Sequence, residues 1–244
     1  MSHSSRPTSR RVSVEVPELS RWWDEAHLVP PRYRRLYLGV ELALLYVGLP
    51  LLLYTQRAAL DGWVAPILLL LAAGCTAVLW GDGSFNRRQL WNRAAFRQHL
   101  ARTLRWFVPG AILVGVVFAV LRPDLLWMLP QTRTQVWLIL MFTYPVLSVY
   151  PQEIVFRAFF FHRYHPLFRT IRSKVVASSI AFGLAHIIFA NWVAPLMTTV
   201  MGGLFARTYV RTGSALQVTL EHGLWGGFAF TIGLGWYVFS GAIG

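Results

Sequence analysis

Long apolar runs, separated by short polar stretches rich in arginine, organise this chain from residue 36 onward. A helix that crosses a bilayer needs about 20 mostly apolar residues. Runs of that kind predict spans over 36–54, 63–80, 106–121, 136–161, 175–189 and 193–206. A last run, 215–239, gives a seventh span, or a seventh and a short eighth if Gly226, Gly227, Gly233 and Gly235 divide it. Aromatic residues at the run ends, such as Tyr54, Trp63 and Trp80, fit the belt at the membrane–water boundary. Between the second and third runs, residues 85–105 alternate arginines with Leu90, Trp91, Phe96, Leu100 and Leu104. That pattern predicts an amphipathic helix lying on the cytoplasmic surface among anionic headgroups; a solvated basic loop is the alternative. Residues 1–35 form a separate cytoplasmic segment, with 1–20 expected to be disordered and 21–35, carrying Trp22, Trp23 and Tyr33, interfacial. The expected fold is all-α, a polytopic transmembrane helical bundle over 36–244.

Composition agrees with the pattern. Of the 244 residues 55% are apolar and 14% charged, against roughly a quarter charged in soluble domains. This excludes a two-domain soluble enzyme, a disordered chain and a disulfide-knotted one. The formal charge of +13 comes from 22 arginines and Lys174 against ten carboxylates. Basic residues number seven in 1–35, six in 81–105, five in 157–174 and two in 207–213, while the alternate connections 56–62, 122–134 and 190–193 hold one, two and none. Such alternation is the positive-inside asymmetry of a membrane protein with a cytoplasmic N-terminus, and it argues against a nucleic-acid partner. The preference for arginine over lysine suggests a GC-rich bacterial source and hence a bacterial cytoplasmic (inner) membrane. Cys75 is the single cysteine and lies within an apolar run, so neither a disulfide nor a reactive thiol is expected. The first 30 residues hold no apolar core segment; no cleavable signal is expected there, and the first span would itself direct insertion.

A charge at the bilayer centre costs about 2.5–3.5 kcal/mol on insertion scales, so each one calls for a reason. Glu41, Glu153, Glu221, His186 and His222 fall within predicted spans, and Arg157 stands one helical turn beyond Glu153. Glu153 and Arg157, at i and i+4, share a helix face. An arginine beside a buried carboxylate compensates its charge and holds its direction, as a general base requires, although an ion pair that only lets the helix pack uses the same residues. His186, in Phe182-Gly-Leu-Ala-His186, taken alone reads as a packed core histidine, and His222 lies within the last run. The combination is more informative: Glu153, His186 and His222 come from three separate spans at similar depths near the cytoplasmic side, which points to one shared polar cavity. Glu221 and Glu41 read as structural, Glu221 pairing with an arginine from another span.

These residues resemble the CAAX-protease and bacteriocin-processing (CPBP, or ABI) family of intramembrane proteases. The family pattern of Glu-Glu-x-x-x-Arg, Phe-x-x-x-His and His-x-x-x-Asn on successive helices reads here as Gln152-Glu153-Ile-Val-Phe-Arg157, Phe182-Gly-Leu-Ala-His186 and His222-Gly-Leu-Trp-Gly226. The resemblance spans about 145–235. It implies a protease domain with a cavity open to cytoplasm and lipid, and peptide-bond hydrolysis near the membrane surface. It also implies water activation by the glutamate pair with His186, oxyanion support from His222, and an Arg157 that orders the glutamate. Two positions depart from the pattern. Gln152 replaces the leading glutamate, and an amide accepts no proton at neutral pH. Glu153 then has to serve, turned into the cavity by a helix distortion that Pro151 favours. Gly226 replaces the asparagine and removes one oxyanion donor, a role left for a backbone or Trp225 indole N–H.

The leading expectation is a glutamate-dependent intramembrane endopeptidase acting on a membrane-tethered peptide, lipid-modified or a C-terminal tail, without cofactor or metal. A metal-dependent protease with His186, His222 and Glu153 as ligands is chemically reasonable, but the chain lacks the His-Glu-x-x-His helix that usually delivers such a set. A non-enzymatic scaffold that holds a peptide, of immunity type, is the third reading. A transporter is the fourth, and no paired broken-helix pattern supports it.

Overall fold

A computed structural model describes residues 32–60 and 62–238, so the expectation of disorder over 1–20 lies outside the described residues. Among these residues there is no strand. Seven long helices succeed one another: α1 (Tyr33–Thr55), α2 (Val64–Gly81), α3 (Arg93–Leu121), α4 (Thr134–Arg163), α5 (Ile171–Phe189), α6 (Val193–Thr212) and α7 (Ala215–Ile232). The first five are long and apolar enough to cross a membrane. Helices also form where the sixth and seventh spans were expected, α6 and α7, with 20 and 18 residues. These two carry more polar residues, among them Gln217 and His222, which are buried inside the bundle. A helix walled in by its neighbours can hold such groups because protein rather than lipid solvates them.

Local signals set the helix starts. Asn92, Thr170 and Ser214 cap α3, α5 and α7, their side chains accepting from the backbone N–H groups of Ala95, Ser173 and Gln217. Gly233, at φ +100°, stops α7 in a left-handed cap, and a short 3₁₀ turn, Leu234–Val238, comes next. Among the described residues the last apolar run is therefore one helix and a turn.

The 85–105 segment departs from expectation. Only a four-residue turn, Arg88–Trp91, stands apart, and from Arg93 the chain enters a single 29-residue helix with the third span. At 1.5 Å per residue α3 is about 43 Å long, against an apolar core of about 30 Å. Arg93, Arg97, Arg102 and Arg105 lie in the first 13 residues of this continuous helix. Leu90 and Phe85 join the protein core. The alternation points to a surface face because a helix that overruns the bilayer has the same composition there as one that lies flat on it.

The core is centred on the second half of α4, where every residue from 151 to 161 is buried. Tyr46 of α1 meets Phe156, Phe160 and Tyr164 edge-on, with ring centroids 5.1–5.8 Å apart. Ion pairs brace this half of α4 at its end. Arg163 binds Glu41 of α1 through Nε at 3.0 Å and Nη2 at 2.8 Å, and the Tyr164 hydroxyl donates to Glu41 at 3.0 Å. His162 contacts Asp82, just after α2, at 2.9 Å. A cleft of about 430 Å³ opens beside Glu41 and Arg163 and includes Leu45, Val78 and Phe159 in its lining, but no residue of the Glu153 cluster.

Candidate active site

α4 is not a regular helix. Two π-turns, Pro145–Val149 and Ile154–Phe159, flank the short α-helical stretch Tyr150–Glu153. Each π-turn takes in an extra residue and rotates the remainder of the helix by about 100°. The distortion expected around Pro151 thus lies on both sides of the Gln152–Glu153 pair. Local bonds hold it: the Tyr46 hydroxyl donates to the Val155 carbonyl at 2.7 Å and the Ser178 hydroxyl to the Phe156 carbonyl at 2.8 Å.

Glu153 does not open into a cavity. Its side chain is 0% exposed, and both oxygens face protein groups. Oε1 lies 2.7 Å from His222 Nδ1 on α7, and Oε2 lies 3.3 Å from Arg157 Nε, also 0% exposed. The second contact is an ion pair by distance only, since neither atom has a hydrogen-bond partner. Arg157 also donates from Nη2 to the Gly202 carbonyl of α6 at 3.5 Å and sits over the Phe182 ring at 4.7 Å. This geometry corrects the expectation that the distortion turns Glu153 toward a cavity. The carboxylate is enclosed, with the His222 imidazole against its Oε1.

A carboxylate oxygen only accepts, so His222 donates its Nδ1–H, and in a neutral ring Nε2 presents its lone pair. The Tyr144 hydroxyl, 3.3 Å from Nε2, is then the donor in that contact. The ring itself is clamped, stacked on Phe205 at 4.5 Å and 21° and edge-on to Phe182 at 5.5 Å.

His186 lies near the end of α5 and begins the 3₁₀ turn His186–Phe189 that closes it. Its Nδ1 lies 2.7 Å from the Phe182 carbonyl, which fixes the hydrogen on Nδ1 and leaves Nε2 as an acceptor. Its ring packs on Phe182 at 4.7 Å, so the two imidazoles border one phenyl ring, with no direct hydrogen bond between them. Gln152, 9% exposed, donates to Ser148 Oγ at 2.8 Å and leaves its carbonyl oxygen without a partner. Glu221 faces Thr208 and Arg211 of α6, while Glu41 pairs with Arg163. Among the described residues no three His, Cys, Asp or Glu side chains are grouped to hold a metal ion.

The Trp225 ring packs into Phe107, at 5.1 Å, and against Gly110 on α3. The residue the sequence reading missed is Tyr144. Nine residues before Glu153, it falls about half a turn out of phase in a regular helix; the extra residue of the first π-turn reduces that to about 80°.

Residues 132–228 match the family model described as type II CAAX prenyl endopeptidase Rce1-like. This stretch is similar to the CAAX-protease family. It covers less than half of the chain and contains Gln152, Glu153, Arg157, His186 and His222, with Tyr144 and Gly226 as well. No curated protein and no solved structure matches the chain. The protein is thus a helical integral membrane protein carrying a CAAX-protease-type segment.

Proposed function

We propose that the chain is an intramembrane endopeptidase in which Glu153 acts through His222. The observation that carries this reading is the 2.7 Å contact between a fully enclosed carboxylate on α4 and an imidazole on α7. A carboxylate that holds one imidazole nitrogen fixes the tautomer and leaves the other nitrogen as a base, the division of labour known from serine-protease triads. His222 Nε2 takes a proton from water, and His186 Nε2, likewise an acceptor, holds that water. Arg157 compensates the buried charge and positions Glu153. Gln152, with a free carbonyl oxygen, accepts a hydrogen bond from substrate or water and takes no proton.

The substrate is a membrane-tethered peptide. The family description names a prenyl endopeptidase, which favours a prenylated C-terminal tail. An ordered spanning helix buries its carbonyls in its own hydrogen bonds, so the cleaved segment enters extended. The site lies near the arginine-rich cytoplasmic connections, in a bacterial inner membrane with the N-terminus inside. The test is release of a C-terminal tripeptide from a farnesylated peptide by purified protein in liposomes. Glu153→Ala and His186→Ala are each expected to abolish release while the helical spectrum is kept; wild-type turnover by Glu153→Ala would refute the assignment.

One observation favours a second reading, a peptide-holding scaffold without turnover: no oxygen of Glu153 reaches the surface. Peptide binding by a wild-type protein that releases no product would support it.

A further inference from the structure

Three facts about Tyr144 stand outside the roles assigned so far. Its hydroxyl contacts the one nitrogen of His222 that Glu153 leaves open. Its ring lies against Gly226, where an added Cβ would come within 2.7 Å of Tyr144 Cζ. Phe230, one turn beyond Gly226 on the same helix, meets the ring edge-on, with centroids 5.0 Å apart and planes at 89°. A phenol packed on a bare Cα and an aromatic ring from one face of α7 is held in place, yet its O–H contact to Nε2, at 3.3 Å, is longer than a strong hydrogen bond. Little is lost when such a hydroxyl turns to a better acceptor beside it.

Resting on the endopeptidase reading, we infer that Tyr144 is the hydrogen-bond donor to the substrate carbonyl oxygen, and that Gly226 exists to seat it. In the resting protein the hydroxyl covers the lone pair of His222 Nε2. When a peptide carbonyl arrives, the O–H turns to its oxygen, and water takes the vacated place on Nε2. Water then loses a proton to Nε2 as its oxygen bonds the carbonyl carbon. The C=O π pair moves onto the oxygen, which accepts from Tyr144. On collapse the C–N bond breaks, the proton on Nε2 passes to the leaving nitrogen, and the hydroxyl returns to Nε2. One water and one peptide bond give one acid and one amine. This assignment makes Gly226 a partner of Tyr144: the glycine deletes a side chain, and the phenol fills the space beside His222.

The test uses full-length protein in liposomes with the farnesylated peptide, and a phosphonate peptide of the same sequence as a tetrahedral mimic. Tyr144→Phe keeps the ring and its packing. It is expected to lower kcat by about 10²–10³-fold, the loss seen for one oxyanion donor, with KM nearly unchanged, and to weaken the phosphonate far more than the substrate. Gly226→Ala pushes the ring away and is expected to show the same kcat loss, with the double variant no worse than either single one. Wild-type turnover accompanied by a Tyr144→Phe kcat within twofold overturns this inference and leaves the peptidase reading standing. So does an equal loss of phosphonate and substrate binding, the mark of a merely structural role. A wild-type protein with no turnover overturns both.

Discussion

Removing Arg157 alone and removing it together with its counter-charge are expected to have opposite outcomes. Arg157 and Glu153 are both 0% exposed and sit 3.3 Å apart. The guanidinium is poorly satisfied: Nε and Nη1 have no hydrogen-bond partner, and Nη2 makes one long contact to Gly202. Arg157→Met therefore strands a buried carboxylate that retains only the His222 contact. Breaking one side of a buried pair typically costs about 3–5 kcal/mol, and the lost contact with Phe182 adds roughly 0.5–2 kcal/mol. Replacing both charges by uncharged groups of similar volume is often neutral. Because the hydrogen bonding here is thin, Arg157→Met with Glu153→Gln is expected within about 1 kcal/mol of wild type, a coupling well above the roughly 0.5 kcal/mol typical of independent sites. The assay is reversible denaturation in mixed micelles, monitored by helical signal for both singles and the double. An Arg157→Met protein within about 0.5 kcal/mol of wild type would refute the reasoning, since the carboxylate would then need no counter-charge.

Two further perturbations test the scaffold of the site. Tyr46→Phe removes the hydroxyl that donates to the Val155 carbonyl at 2.7 Å inside the second π-turn; leaving that buried acceptor unmet is expected to cost about 1–3 kcal/mol in the same assay, and no change would mean that the π-turn holds without it. Asp82, outside the membrane spans, is held down to about 2 chiefly by the Ser84 hydroxyl, with His162 adding to it. Its stabilising contribution is present above pH about 4 and is lost as pH falls toward 2. Ser84→Ala is expected to move the carboxyl titration, monitored by carbon NMR, up toward the ordinary carboxylate range, and an unmoved midpoint would assign the shift elsewhere.

The bundle was legible because lipid-facing helices must be apolar along their length, and the runs that became α1, α2 and the outer part of α4 are. The site residues were legible by type: buried Glu, Arg and His are costly enough that each announced itself. Their arrangement was not. Counting at 100° per residue put Glu153 on a face that a distortion would open, but the two π-turns enclose it behind His222. The same counting hid Tyr144, one uncharged aromatic residue inside an apolar run. Trp225 looked available beside Gly226, and only the packing of α7 on α3 assigns its ring to Phe107. The merging of 93–105 with the third span was equally hidden, since hydropathy marks where lipid ends and not where a helix does.

The most direct test of the central claim, that Glu153 works through His222, is a kinetic cycle on the farnesylated peptide with Glu153→Ala, His222→Ala and the double variant. Residues that act as one unit lose their effect together. The account predicts a loss on the order of 10⁴-fold for each single variant, in line with removal of a triad carboxylate, and no greater loss for the double. A double variant whose deficit is the product of the two single deficits would contradict it, as would a Glu153→Ala protein that turns over at the wild-type rate.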